Sequence, residues 1–292
     1  MSEVNRLFCF GYGYVAQHVA PKLQAKGWQV AGTTTREDKA SQMQNAGIEA
    51  YILNDDAPFE AAQALDGATH MLVSIPPKEQ GDIALHACKP VLGGLDRLQW
   101  VGYLSTTGVY GDHDGDWVDE TTPAAPLDER SKRRVLAEQA WQDAMRTHAG
   151  SMQIFRLAGI YGSGRNALEQ LQAGTARRIY KEGQYFSRTH VEDIATLLVA
   201  AMLQGHASDV FNVADEAPAP SHEVTEYAAQ LMEMQPPPLI PIEQADLSPM
   251  AQSFYASNKR VNAEKIRLKH GVSLAFPTYR EGLDAIWQAI CK

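Results

Sequence analysis

An α/β fold, built on a doubly wound parallel sheet with a smaller C-terminal lobe, is predicted by three features of the 292-residue sequence. The first apolar run, residues 7–10, leads straight into Gly11, Gly13 and Ala16 in the pattern G-x-G-x-x-A, and then into a helical segment over 14–26. Short apolar runs then alternate with helical segments through the first half of the chain. Beyond residue 165 that alternation stops, and the stretch MQPPPLIP at 234–241 cannot be helix. Alternation implies a parallel sheet covered on both faces. The irregular remainder implies a separate lobe.

The glycine stretch carries the first functional reading. Strand, G-x-G-x-x-A, then helix is the fingerprint of a dinucleotide phosphate site in a Rossmann-type domain. Gly11 permits the tight turn, Gly13 lets backbone approach a pyrophosphate, and Ala16 lets the helix pack close to the strand. The helix start offers N–H groups and a positive dipole end to the anion, through the backbone of Gly11, Tyr12, Gly13, Tyr14 and Val15.

A second strand is expected at 29–34. Where it ends, an acidic residue would bind the ribose hydroxyls of NAD. This chain has Thr34, Thr35 and Arg36 instead. Two hydroxyls and a guanidinium suit a 2′-phosphate, which favours NADP over NAD. Arg36 also reads as a surface capping residue, held by Glu37 or Asp38. A third strand at 49–53 places Asp55 at its exit, either as an acceptor for the adenine amino group or as an ordinary turn residue. The fourth strand, 69–74, runs into Ile75, Pro76 and Pro77. Ser74, Ile75 and Pro76 are then expected as walls of the cofactor groove. A helical segment at 81–95, a strand at 99–105, a helix at 129–148 and a strand at 152–157 continue the pattern. A helix to 204, a late strand at 210–213 and helices at 261–270 and 279–290 complete it. The domain expectation is a Rossmann-type domain over 1–164, to which 190–215 returns, and a smaller substrate-binding lobe over 165–189 and 216–292.

Composition narrows the function classes. The formal net charge of −9 argues against nucleic acid as a partner, and the cluster Lys132, Arg133, Arg134 reads as a solvated helix face. The three cysteines, Cys9, Cys88 and Cys291, lie far apart and form no C-x-x-C pair, so neither a metal site nor a disulfide framework is indicated. That usage fits a reducing cytoplasm. No signal peptide is read at the N-terminus, and no apolar run reaches a membrane span.

Four motifs in order, GYGYVA, STTGVYG (105–111), RLAGIYGSG (156–164) and RTHVEDIA (188–195), resemble the extended short-chain dehydrogenase/reductase family, which includes NAD-dependent epimerases and dehydratases. FNVADE at 211–216 fits its late strand. The resemblance spans nearly the whole chain and implies an oxidoreductase or epimerase acting on a polar, sugar-like hydroxyl or carbonyl compound. By the family pattern Thr106 orients the substrate and Lys132 holds the nicotinamide ribose. A homodimer through the helices 83–92 and 132–145 is likewise implied.

The family's proton-exchanging Tyr falls at Asp128, in PLDERSK. A carboxylate ionises near pH 4, whereas a phenol holds its proton to about 10. One turn from Lys132, Asp128 would pair with the ammonium. The sequence therefore resembles the atypical members of the family. Tyr110 and Tyr161 follow strands at the ligand edge. Tyr110 is a replacement candidate for catalysis and Tyr161 for substrate contact, against a packing role for both. Tyr255 is a third tyrosine to weigh. Arg188 reads as an anchor for a substrate anion or as an ion-pair partner of Asp193 or Glu192, and His190 as a structural histidine. The alternative to an enzyme is a non-catalytic NADP-binding sensor or partner module, favoured by Asp128.

Overall fold

The computed structural model describes residues 4–54, 59–205 and 207–291. In chain order the elements are β1 (Arg6–Phe10), α1 (Tyr14–Gln24), β2 (Gln29–Thr34), α2 (Glu37–Asn45), β3 (Glu49–Ile52), α3 (Ala61–Ala64), β4 (His70–Val73), α4 (Ile83–Cys88), β5 (Trp100–Thr106), β6 (Trp117–Val118) and α5 (Glu129–Met145). The second half adds β7 (Ser151–Leu157), β8 (Gly159–Tyr161), α6 (Ala167–Gln172), β9 (Arg178–Tyr180), β10 (Arg188–His190), α7 (Val191–Gln204) and β11 (Asp209–Val213). It ends with α8 (Ser221–Leu231), β12 (Leu239–Pro241), α9 (Pro249–Tyr255), β13 (Arg260–Val261), α10 (Glu264–His270) and α11 (Tyr279–Ile290).

Seven strands form one sheet in the order β11-β7-β5-β4-β1-β2-β3. Every pairing from β5 across to β3 is parallel. The expected doubly wound α/β sheet is therefore present. Its central strands are buried along their whole length, as a sheet covered on both faces requires. In α1 the buried residues Val15, Ala16, Val19, Ala20 and Leu23 recur at helical spacing, so one face meets the sheet and the other meets solvent. The strand order reverses between β1 and β4, which is the switch point where ligands of such sheets bind.

The chain divides into two compact units: 1–105, 130–156 and 195–211 in the first; 106–129, 157–194 and 212–292 in the second. This differs from the expected boundaries. The segments 106–129, 157–164, 190–194 and 212–215 belong to the second unit, which is comparable in size to the first. The reason is pairing over long sequence distances. β13 pairs with β6, β10 with β8 and β12 with β9, each in parallel. The proline-rich stretch thus ends in a short strand, β12. The helix expected over 81–95 is only α4 followed by a 3-10 turn at Leu92–Gly94.

Each unit has its own core. In the first, Phe8, Phe10, Met71, Val73, Val101 and Trp141 belong to one buried cluster. In the second, Tyr161, Leu168, Ala228, Leu283 and Ile286 form another. The second core is closed by α11, whose start is a capping box: the Thr278 hydroxyl accepts from the Arg280 N–H and Glu281 accepts from the Thr278 N–H at 3.0 Å.

Two buried polar groups in the first unit generate predictions. Glu138 on α5 forms an ion pair with Arg156 on β7 at 2.8 Å and accepts from Ser105. Both charged side chains are buried, so removing Glu138 takes from Arg156 the carboxylate it is paired with. Glu138→Ala is expected to cost about 3–5 kcal/mol in urea denaturation. His70 is buried beside the Trp28 ring, with Nδ1 at 2.9 Å from the Thr69 hydroxyl and Nε2 at 3.2 Å from the Met202 carbonyl. Burial pushes its imidazole down to about 4, and the Met202 hydrogen bond offsets only part of that. The unfolded chain therefore binds the proton first. The stability contributed by neutral His70 is present above pH ~6.5 and is lost as the pH falls towards 4. His70→Asn is expected to flatten that acid limb in a pH series of melting curves.

Candidate functional site

The glycine loop sits at the switch point. β1 ends at Phe10, and Gly11 follows with φ +88°. Its N–H donates to the Thr33 hydroxyl at 2.8 Å, and the next N–H, of Tyr12, donates to the Thr33 carbonyl at 2.8 Å. From β4's exit, the Ser74 hydroxyl donates to the Gly11 carbonyl at 2.7 Å. A Cβ on Gly11 would lie 2.8 Å from both Ser74 Oγ and Ile75 Cγ1. Gly11 is therefore glycine for the protein's own sake, by conformation and by packing.

Gly13 is different. It caps α1 with φ −91° and ψ −163°, extended backbone that any residue adopts, and no side chain caps the helix there. A Cβ on Gly13 would meet nothing within 4 Å. Nothing in the fold demands glycine at this position. The open face at the start of an uncapped helix is the space an anion would fill. Around it, Val15 and Ala16 are buried, so these residues could offer only backbone to a ligand. Tyr12 is also buried, and its phenol is pushed up to about 12 by burial, with a smaller contribution from Cys9. Ser74 and Ile75 are partly exposed and Pro76 is exposed, beside the loop in sequence and space.

At the end of β2, Arg36 is exposed and pairs with Asp38 at 3.0 Å. Its backbone N–H donates to the Thr34 hydroxyl at 3.3 Å, and it occupies the N-cap position of α2. The ion pair weighed for Arg36 is thus present, and it stands at the cap position without a side-chain cap bond. A second cation, missed in the sequence, joins it: Lys39, whose ammonium is pushed down by burial and then by the positive charge of Arg36. Its signal was its spacing, three residues on in the first turn of α2. Thr35 is exposed. Asp55 lies outside the described residues.

In the second unit, the Thr106 hydroxyl accepts from the Gly108 N–H at 3.1 Å and opens a 3-10 turn over Thr107–Tyr110. Tyr110 is fully buried, and its hydroxyl donates to Asn212 at 2.7 Å. Asn212 is itself fixed by Glu120 and the Asn262 carbonyl. These contacts are those of the packing role weighed for Tyr110. Tyr161 is buried under Gly282, where any Cβ would overlap the phenol, and its hydroxyl donates to the Thr278 carbonyl at 3.3 Å. Burial, reinforced by Asp215 and Asp193, holds its proton firmly on.

Arg188 directs Nη1 at the carbonyls of Phe186 and Ala219, both 2.8 Å away, and the carboxylate whose charge bears on it most is Asp215. An arginine so engaged by backbone holds the local chain together. Asp193, one of the two partners weighed for it, accepts the N–H groups of Ala275 and Phe276 at 2.8 and 3.0 Å. The His190 ring lies tilted against Phe276, centroids 4.0 Å apart, with Tyr161 edge-on. The Tyr255 hydroxyl is 2.7 Å from the Ser221 hydroxyl.

Lys132 is on the exposed side of α5, and Asp128 immediately precedes that helix. Asp128 acts on a lysine the sequence did not point to. Its charge bears on Lys259, whose ammonium donates to the Gly111 carbonyl at 2.7 Å and to Ser257. Sequence reasoning had stopped at Tyr255 in the same SFYASNKR segment. Among the described residues no cluster of three His, Cys, Asp or Glu could hold a metal, and no helix is long and apolar enough to cross a membrane.

Comparison with known proteins places this architecture. The model of the RmlD substrate binding domain matches residues 97–291. The chain belongs to that family. The epimerase/dehydratase-like short-chain dehydrogenase/reductase resemblance read from the four motifs stands. Protein YeeZ of Escherichia coli K12 is 29% identical over 248 residues, 80% of this chain and 86% of its own. A functionally unknown conserved protein from Silicibacter pomeroyi matches with TM-score 0.89 and 43% identity, over 98% of this chain and 99% of that one. The dTDP-glucose 4,6-dehydratase of Bacillus anthracis, solved in complex with NAD, shares the fold at TM-score 0.78 and 15% identity, over 98% and 96% of the two chains.

The two glycines should separate by stability. Gly11→Ala is expected to lose at least 1–2 kcal/mol, because φ is positive and the Cβ is crowded. Gly13→Ala is expected to be neutral or to gain up to about 1 kcal/mol by stiffening the unfolded chain. Urea denaturation of the two variants checks both.

Proposed function

We propose that this protein is an NADP-dependent oxidoreductase or epimerase acting on a hydroxyl or carbonyl group of a sugar-like, nucleotide-linked substrate. The observation that carries this is Gly13, a glycine the fold itself does not need, open at the start of an uncapped helix. The Rossmann-type fold shared with an NAD-bound dehydratase supports it. The backbone of Gly11, Tyr12, Gly13, Tyr14 and Val15 would hold the pyrophosphate, with Ser74, Ile75 and Pro76 beside it. Bound there, the nicotinamide would supply two-electron chemistry at a carbon bearing oxygen.

NADP rather than NAD is supported by Arg36 and Lys39. Two cations three residues apart, one lowered partly by the other's charge, leave room for a dianion to relieve the repulsion. Thr34 and Thr35 add hydroxyls. Thr106 orients the substrate, and Lys132, exposed on α5, holds the ribose of the nicotinamide. The free cysteines Cys9, Cys88 and Cys291 support a cytoplasmic location, and the family resemblance supports a homodimer through α4 and α5.

The sensor reading draws on Asp128 and on the burial of Tyr110 and Tyr161. One experiment separates the two. Thermal shift with NADPH and NADH comes first, then absorbance of the reduced cofactor with a panel of carbonyl compounds and product analysis with nucleotide sugars. Stabilisation by NADPH together with turnover of any panel member is the expected result. Stabilisation without turnover supports the sensor, and no shift with either cofactor overturns both readings. Arg36→Ala is expected to weaken NADPH binding at least tenfold more than NADH binding, because only the former presents the 2′-phosphate. Gly13→Val, with the fold intact, is expected to weaken both.

A further inference from the structure

In the second unit a buried carboxyl stands beside a guanidinium without being bonded to it. Asp215 follows β11. Its N–H donates to the Arg188 carbonyl at 2.6 Å and its Oδ1 accepts from the Ala217 N–H at 3.3 Å. Its Oδ2 is buried and has no hydrogen-bond partner among the described residues. Asp215 is the carboxylate whose charge acts most on Arg188, yet no ion pair joins the two among the described residues. Arg188 instead spends Nη1 on the carbonyls of Phe186 and Ala219, each 2.8 Å away. Those two residues form an antiparallel bridge, the Phe186 N–H donating to the Ala219 carbonyl at 3.2 Å and the Ala219 N–H to the Phe186 carbonyl at 3.1 Å. Arg188 thus clamps a bridge that has only two backbone bonds of its own.

A buried carboxylate needs donors in place of water, and one long bond to Oδ1 with none to Oδ2 does not supply them. Its neighbours do not make up the difference. Asp193 on α7 has both oxygens filled by the Ala275 and Phe276 N–H groups, and its charge opposes a second one close by. Tyr161 on β8 keeps its proton, and Tyr255 of α9 and Tyr279 of α11 also face the guanidinium. His190 on β10 lies against Phe276 and Tyr161. Glu281 of α11 is exposed and accepts from Thr278, and Glu216 pairs with Arg267 of α10. Burial raises Asp215 to about 7, with Arg188 acting the other way. A neutral carboxyl fits the arrangement seen, since it leaves the guanidinium to the carbonyls. An ionised one competes for the same guanidinium, because a charge-assisted bond to carboxylate outweighs a bond to a neutral carbonyl.

We propose that Asp215 and Arg188 form a proton-operated clamp in the second unit. With Asp215 protonated, Arg188 holds residues 186 and 219 together. When Asp215 releases its proton to water, the guanidinium turns to the carboxylate, leaves the two carbonyls, and the bridge between 186 and 219 loosens. The effect spreads along packed rings: Arg188 lies over the Phe186 ring, Phe186 meets Tyr255 edge-on, and the Tyr255 hydroxyl meets Ser221 at the start of α8. Every one of these residues belongs to the second unit. The sign follows from linkage. The folded chain keeps a proton that the unfolded chain gives up near 3.8, so the stability it contributes is complete below that pH and is lost as the pH rises through about 7. That is opposite in direction to the contribution of His70.

The test uses the full chain as wild type, Asp215→Asn and Arg188→Lys. Because His190 lies on the same strand as Arg188, only differences between wild type and Asp215→Asn are read. The infrared difference spectrum of the two is expected to show a carboxylic C=O band at about pH 5.5 that is gone by about pH 8.5. Hydrogen exchange by mass spectrometry then follows peptides spanning 184–190 and 215–221, corrected for base catalysis. Wild type is expected to lose protection there by about tenfold between about pH 5.5 and 8.5, while peptides of α1 keep theirs. Asp215→Asn cannot ionise and is expected to stay within about threefold over the same span. It is also expected to melt above wild type at about pH 8.5 and not at about pH 5.5. Arg188→Lys keeps the charge but not the fork, and is expected to show the loosened level already at about pH 5.5. Absence of the carboxylic band at about pH 5.5 overturns the proposal. So does a band that titrates while protection in wild type and Asp215→Asn runs in parallel, or an Arg188→Lys chain as protected as wild type.

Discussion

One residue, Gly11, ties the sheet together at the point where its strand order reverses. β1 lies between β2 and β4, so chain connections diverge to either side of it. Gly11 receives a hydrogen bond from β4's exit through Ser74 and gives one to β2 through Thr33. Its positive φ turns the chain out of the strand and aims α1 back along the sheet. A side chain there would push on Ser74 and Ile75 together. The same geometry that closes three strands around one atom group also leaves the start of α1 open at Gly13. The open start of α1 is thus a by-product of how the sheet must be joined, and its shape follows from packing alone.

The sheet was legible because its signals are local. β1, β4 and β5 are buried runs, and burial on both faces writes them as unbroken apolar stretches such as LFCF and HMLV. The helices facing them carry buried residues at helical spacing. What escaped is held by distant pairings. β6 and β13 contribute two residues each, too few for any periodicity, and they pair because 116–118 and 260–262 are brought side by side. The same lacing moves 106–129 out of the first unit. α8 escaped for another reason: SHEVTEYAAQL is amphipathic, but Pro220 before it and the proline run after it draw the eye to loop.

Glycine and tyrosine show how a motif and its chemistry come apart. In G-x-G-x-x-A the two glycines look equivalent on paper, yet the fold needs the first and not the second. In the two YG motifs the tyrosines look alike and stand next to ligand-edge strands, yet both are consumed by packing. Tyr110 is locked to Asn212, and Tyr161 is capped by Gly282. At Tyr161 burial, with Asp215 and Asp193 nearby, also holds the proton more tightly. Sequence could identify the residue types; only the three-dimensional neighbours distinguish a reactive hydroxyl from a structural one.

Asp128 is then less a loss than a change of electrostatic role. An ordinary carboxyl ionises far below a phenol, so the two side chains are not interchangeable. Its charge can still act on a cation, and the cation it acts on is supplied from the far end of the chain. Burial lowers Lys259, and Asp112 with Asp128 hold it from falling further, so the three groups set a balance that none sets alone. Without the carboxylates the amine would sit lower; in water it would sit at the usual lysine value. The two hydrogen bonds to neutral oxygens fix where the nitrogen stands without pairing it off as a salt bridge. Position and proton affinity are therefore set by separate parts of the same lacing.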